Sequence, residues 1–401
     1  MTTYNPIDSA SNANNPQPTR PSISSQSFLY PHHSPEIATQ LISTANSLVH
    51  PRGRGIYATD ETPEAIETRL VAAANGGDDG KDVKTFSEEE KRERRKRWRE
   101  CLYESLTPEH ISGVIIFSET LHEFNLAPTL QARGIIPGIR ADTDSQPLPC
   151  SPLEPATQGL DDLLPRLRHA YAAGARFAKW HAPILCTSTS TNSNNTTGPL
   201  PTQSALETQS ESLAHFASIA QQAGLVPIVE PDVDFSGDAD LARSVEVHVR
   251  VISMIYARCA AYGVLIEGTL IKPSFPQPGL KHPSRSTTSA DDIVSATLAV
   301  LARSVPVGVA GVVFLSGGLP DSTALDYLFL INSRVSSLAA EGSASTALSS
   351  SPYTRLPPLS FSFGRGLQGD ATKRWVEGDE EGAKRAFAER ARACWAAVCG
   401  K

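Results

Sequence analysis

Short apolar runs recur along the chain, and most are followed by a stretch whose apolar positions repeat every three or four residues. The runs are Gly55–Ala58, Gly113–Phe117, Gly134–Ile139, Phe177–Trp180, Val226–Val229, Val264–Leu270, Gly311–Leu315 and Leu359–Phe363. Several are apolar without interruption, as strands buried on both faces are. The helical period shows in Leu160–Ala173, Leu206–Ala223, Asp240–Tyr262, Ser289–Arg303 and Asp321–Val335. Eight strand-then-helix units predict an α/β fold, a (β/α)8 TIM barrel. An open doubly wound sheet would want a Gly-rich phosphate turn after its first strand. Here the first run ends in Ala58-Thr59-Asp60-Glu61.

Between the runs lie segments with little to bury. Residues 1–34 are rich in Ser, Asn, Pro, Thr and Gln and read as a disordered polar tail ahead of a single barrel domain over 35–401. Two low-complexity stretches read as surface insertions, one near 187–203 and one near 336–352. The first carries sequons at Asn194 and Asn195, which stay unmodified without a secretory route. Lys91–Arg99 (KRERRKRWR) has the composition of a nuclear signal or an RNA patch. Acidic residues Glu88–Glu90 and Glu100 flank it at helical spacing, so it reads as a solvated helix face.

Composition narrows the class. With 36 Lys+Arg against 43 Asp+Glu the net charge is −7, which argues against a general nucleic-acid binder and its basic face. No run approaches the ~18–20 apolar residues of a membrane span. The first residues, MTTYNPIDSASNANN, have neither the basic nor the apolar region of a secretory signal, so a cytoplasmic location with no membrane partner is expected. Cysteines at 101, 150, 186, 259, 394 and 399 include no CxxC and no Cys/His cluster at metal spacing. They read as reduced thiols, mostly buried, and no metal site is expected.

Active sites of barrels gather at the carboxyl ends of the strands. Polar residues fall at those positions: Asp60-Glu61 after the first run, Glu119 after the second, Lys179 in the fourth, Glu230-Pro231-Asp232 after the fifth, Glu267 in the sixth and Lys272 just past it. A lysine in an apolar strand must be paired or must titrate. Two buried ion pairs are the structural alternative. The chemical alternative is an amine nucleophile. An ordinary lysine is neutral only about once in 2,500 molecules at pH 7, and a nearby cation with an apolar wall raises that fraction. A neutral amine attacks a ketone to form a Schiff base, whose iminium draws electrons from an adjacent carbon–carbon bond. Carboxylates then move the protons. Ser316-Gly317-Gly318 and Ser362-Phe363-Gly364-Arg365 end the seventh and eighth runs, where the fold commonly binds phosphate on backbone N–H groups. Arg365 adds a planar fork of donors.

At these residues the sequence resembles class I fructose-bisphosphate aldolase. The matching segments are GIYATDET (55–62), GVIIFSETL (113–121), TQGLDDL (157–163), FAKW (177–180), VPIVEP (226–231), LIEGTLIKP (265–273), FLSGG (314–318) and LSFSFGRGLQ (359–368). The resemblance implies a metal-independent lyase with no cofactor. It would cleave a ketose phosphate to dihydroxyacetone phosphate and an aldehyde. Lys272 looks like the Schiff-base lysine, Glu230 like the carboxylate that handles the carbinolamine protons, Asp60 like the base at the C4 hydroxyl and Lys179 like the neighbouring cation. Ser316, Gly317, Gly364 and Arg365 look like the binders of the dihydroxyacetone phosphate group, with Ser362 close by. Homotetramers are usual in the resembling family, so a homotetramer is an expectation too.

The chain also departs from that pattern. Phe124 stands where the family has a lysine, His181 where it has an arginine and Ala65 where it has a serine, although Arg69 is retained; Asp232 shortens a glutamate. The family's C-terminal tail ending in tyrosine has no counterpart, since this chain ends Cys399-Gly400-Lys401. These changes point to weakened recognition of the distal phosphate. A transaldolase-like transferase and a non-catalytic barrel scaffold remain competing readings.

Overall fold

The protein is seen here as a computed structural model that describes residues 32–74, 86–189, 198–344 and 351–401. Most of the polar tail, both sequons and the centres of the two low-complexity stretches lie outside these residues.

Eight parallel strands close into a barrel in sequence order: β1 Gly55–Thr59, β2 Ile111–Ile116, β3 Ile136–Arg140, β4 Phe177–Ile184, β5 Val226–Val233, β6 Leu270–Ile271, β7 Gly311–Phe314 and β8 Leu359–Phe363, which pairs back to β1. The helices are α1 Pro35–Val49, α2 Pro63–Ala74, α3 Glu88–Ser105, α4 Ala127–Ala132, α5 Leu163–Ala172, α6 Gln203–Gln222, α7 Leu241–Ala261, α8 Ala290–Ser304, α9 Asp321–Ala344, α10 Arg365–Val376 and α11 Glu380–Cys399. Their starts are written locally. Side chains of Ser34, Ser87, Thr202, Asp240 and Ser289 each accept an N–H of the first turn.

Alternation along the strands sorts their side chains into two layers. One layer meets the helices. The other fills the barrel, and α1 plugs its amino-terminal end: Ala38, Leu41, Ala45, Leu48 and Val49 pack with Ile56, Ile115, Phe177, Ile228, Leu270 and Val313. The Phe177 ring spreads over Gly138 and Gly113, where an added Cβ would lie 2.2 Å and 3.0 Å from it. Glycine at both positions makes room for the aromatic floor.

Three expectations are corrected. Val264–Leu270 is not a strand: Ile266–Gly268 is a 3-10 turn and β6 is only Leu270–Ile271. Gln221 explains this, because its amide donates to the Leu265 carbonyl at 2.7 Å and accepts the Leu265 N–H at 2.8 Å, taking groups a ladder would use. Glu267 consequently sits exposed on that turn, before β6 and away from the carboxyl ends. The basic run on α3 is more than a solvated face, since Arg95 and Arg99 are buried. Finally, Ser336 to Ala344 continues helix α9 rather than forming a separate insertion.

Candidate active site

The strand register and the period of two determine which side chains share the barrel mouth. On β4, Phe177 floors the barrel, so Lys179 and His181 follow it on the same face. On β5, Ile228 leads to Glu230 and Asp232 in the same way. Lys272 directly follows β6, and its N–H donates to the Val229 carbonyl at 2.8 Å. Asp60 directly follows β1.

These groups converge on one carboxylate. Glu230 Oε1 lies 2.8 Å from Lys272 Nζ, and its Oε2 lies 3.1 Å from Lys179 Nζ. Lys179 Nζ also contacts Asp60 Oδ2 at 2.8 Å and Asp142 Oδ1 at 3.7 Å. Lys179, Glu230 and Lys272 are only 4–5% exposed. Burial at that level demands charge partners, and the cluster supplies them. Burial works against the Lys179 cation, but Asp60, Glu230 and Asp142 outweigh it and hold its pKa well above the ordinary value. Burial likewise disfavours the Asp60 and Glu230 anions, yet the two lysines hold both pKa values below the usual carboxylate range. The core of the mouth is therefore a charged network at neutral pH, with Glu230 shared between two amines.

Asp142, absent from the sequence-derived candidates, belongs to this network. It accepts from Arg140 Nε at 2.7 Å and from the His181 N–H at 3.0 Å. Its signal was the same as for the others: a carboxylate just past an apolar strand. One step farther out, His181 Nε2 lies 3.1 Å from Asp232 Oδ2.

The expected anion site adjoins the cluster. The Leu315 N–H donates to the Pro273 carbonyl at 3.1 Å, which brings Ser316 and Gly317 beside the segment that carries Lys272. Gly317 and Gly318 have positive φ of 57° and 87°, as their tight turn requires. The Arg365 guanidinium lies over Gly318, where a Cβ would stand 3.2 Å from Nη2. Gly364 precedes α10 and packs against the Ala58 carbonyl, 2.8 Å from where a Cβ would be. Ser362 Oγ is buried without a hydrogen-bond partner.

Arg69 is held differently from the other candidates. It pairs with Glu61, which also faces Arg99 at 3.4 Å and accepts from Gln368 at 2.7 Å. Gln368 in turn accepts from the Tyr57 hydroxyl at 2.5 Å. A cavity of about 590 Å³ between α2 and α10 is lined by Arg69, Arg365, Gln368 and Lys373, among others. Phe124 is buried, an uncharged side chain with the Arg92 guanidinium over its ring at 5.2 Å. Among the described residues no group of His, Cys, Asp and Glu is arranged to hold a metal ion, and no helix is long and apolar enough to cross a membrane.

Comparison with known proteins gives a consistent result. Residues 40–401 match the family described as "Glycolytic: Fructose-bisphosphate aldolase class-I". A fructose-bisphosphate aldolase of Echinococcus multilocularis is 35% identical over 92% of this chain and 93% of its own length. A probable class 1 fructose-bisphosphate aldolase of Xanthomonas axonopodis pv. citri is 33% identical, covering 90% of this chain and 98% of its own. A solved structure of the Plasmodium falciparum fructose-bisphosphate aldolase, in complex with TRAP and a small molecule inhibitor, superposes with a TM-score of 0.76 at 32% identity, covering 91% of this chain and 96% of that one.

Proposed function

Because the chain belongs to the class I fructose-bisphosphate aldolase family, we propose that it cleaves a ketose phosphate through a Schiff base on Lys272. The observation that carries this reading is the Glu230 carboxylate shared between the amines of Lys272 and Lys179 beside Asp60. Glu230, 2.8 Å away, takes the proton that frees the Lys272 amine. The amine adds to the ketone carbon C2, and the carbinolamine hydroxyl leaves as water with a proton returned by Glu230. The iminium then accepts the electron pair of the C3–C4 bond. Asp60 removes the C4 hydroxyl proton, so that the distal half departs as an aldehyde and an enamine of dihydroxyacetone phosphate remains. Protonation at C3 and hydrolysis release the second product and return the amine. Lys179 keeps Asp60 and Glu230 ionised for these transfers. Ser316, Gly317, Gly364 and Arg365 hold the phosphate of the dihydroxyacetone half, with Ser362 Oγ nearby as an unpaired buried polar atom.

The distal half is the point of difference. Phe124 and Ala65 carry no charge, and His181 is committed to Asp232. Each lost charge-assisted contact is worth roughly 1.5–3 kcal/mol. Fructose 1-phosphate should therefore compete with the 1,6-bisphosphate. The enzyme is proposed to be cytoplasmic and homotetrameric, which light scattering on purified protein tests. Borohydride with dihydroxyacetone phosphate should add one adduct mass to the wild type and none to Lys272→Ala. No adduct on the wild type would favour a scaffold. In steady-state assays, a kcat/KM for the bisphosphate about a hundredfold above that for the 1-phosphate, about 2.7 kcal/mol, would defeat the distal-half reading.

A further inference from the structure

The segment that carries Lys272 has little ladder to hold it. β6 is two residues long, and residues 273–279 run on as buried coil. Buried backbone outside a ladder must find its partners elsewhere. Here α7 supplies them from one of its turns. The Ser244 hydroxyl accepts the Gln277 N–H at 3.1 Å, and His248, one turn on, places Nε2 3.1 Å from the Ser274 hydroxyl. That hydroxyl also accepts the Val233 N–H at 3.0 Å and stands 3.0 Å from the Val233 carbonyl. The chemistry above uses neither His248 nor Ser274, and both are fully buried.

The direction of these bonds follows from their partners. His248 Nδ1 lies 2.7 Å from the Ser244 carbonyl, which can only accept, so Nδ1 carries the hydrogen and Nε2 keeps a lone pair. The Ser274 O–H is then the donor to Nε2. Burial pushes the His248 pKa down to about 4, against the Ser244 carbonyl and the charge of Asp232, so the ring is a neutral acceptor at neutral pH. This junction ties α7 to the two segments that imine formation needs. Glu230 lies three residues before Val233, and Lys272 lies two before Ser274. Their 2.8 Å contact depends on how the end of β5 sits against the start of the coil.

We propose that His248 is a positioning residue for Lys272, acting through the Ser274 hydroxyl to hold the Schiff-base lysine against Glu230. The inference rests on the aldolase reading of Lys272. His248 fixes which way the Ser274 hydroxyl points, and that hydroxyl fixes the end of β5 against the residue that follows Pro273. Without the lone pair on Nε2 the tie from α7 is lost, and the Lys272 amine spends less time where Glu230 can take its proton.

The test reads imine formation directly. Protein is mixed with saturating dihydroxyacetone phosphate, quenched with borohydride at timed intervals and analysed by mass spectrometry, beside urea titrations of the same samples. His248→Asn and Ser274→Ala should each slow adduct formation about tenfold, equivalent to about 1.4 kcal/mol, with the half-saturating concentration unchanged within about twofold. The double variant should be no slower than Ser274→Ala alone. His248→Gln, whose amide oxygen reaches the Nε2 position, should recover to within about threefold of the wild type. A merely structural role lowers the urea midpoints and leaves the rate of the folded protein undiminished, and that result overturns the proposal. NMR spectra of the wild type with 15N-labelled histidine need no variant to fold. One ring should stay neutral with its hydrogen on Nδ1 from about pH 8 down to about pH 5.5, and the absence of such a ring also overturns the proposal. No adduct on the wild type defeats the aldolase mechanism and the role of His248 with it, whereas an adduct formed equally fast by His248→Asn defeats only the role of His248.

Discussion

Replacing Lys179 by Met tests whether the mouth is one charge network. The Nζ group lies 2.8 Å from Asp60, 3.1 Å from Glu230 and 3.7 Å from Asp142. At an effective dielectric of 20, the first contact alone is worth about 6 kcal/mol of gross attraction. Most of that offsets the removal of both ions from water. The net cost of the variant should follow the cost of breaking a buried pair, about 3–5 kcal/mol. Glu230 keeps Lys272 as a partner, but Asp60 loses its nearest cation. The pH dependence has a definite sign. In the wild type the depressed pKa of Asp60 gives stability that is present above its unfolded value and lost as pH falls through the folded one. In the variant, burial makes the Asp60 anion unfavourable, and protonation relieves that penalty. The gap between the two proteins should thus be widest near pH 7 and shrink towards about pH 4. Urea titrations followed by circular dichroism at both pH values provide the measurement. Adding Asp60→Asn to Lys179→Met should restore about 2 kcal/mol, because no unpaired anion then remains. A gap under about 1 kcal/mol at pH 7, or one that does not narrow in acid, would refute the network.

Lys272→Ala should lower kcat by about 10³-fold or more in a coupled assay, as loss of a covalent nucleophile does. Glu61→Ala should cost about 3–5 kcal/mol in chemical denaturation, because Arg99, with a side chain only 4% exposed, loses its carboxylate partner; Arg99→Met in the same protein should recover part of it. Phe177→Ala should cost about 3–5 kcal/mol by leaving a cavity under the charge cluster. Gly138→Ala should cost about 1–3 kcal/mol by pressing a methyl into the Phe177 ring, and less in the presence of Phe177→Leu.

Much of the architecture could be read directly from the amino acids. Uninterrupted apolar runs alternating with helical periods predict the barrel, since a strand buried on both faces needs no polar side and a crossover helix needs one. The same local logic put Asp60, Lys179, Glu230 and Lys272 at carboxyl ends of strands. It failed at Glu267, because a side chain from α6, Gln221, takes over the backbone groups of Leu265 and ends the strand before it starts. It failed on α3 too, where spacing alone made every arginine look wet, while Arg95 and Arg99 are buried and pair with Glu119 and Glu61.

Which cation meets which carboxylate was decided only by the closed barrel. Lys179 aligns in register with Ile228, yet its amine contacts Glu230 two residues farther along, because tilted strands set layers of side chains that cut across the register. Asp142 joins through β3, and Asp60 through the closure of β1 on β2 and β8. Periodicity along a strand is a local property and travels with the sequence. A 2.8 Å contact between residues more than a hundred positions apart depends on the stagger and closure of the whole sheet, which no single segment encodes.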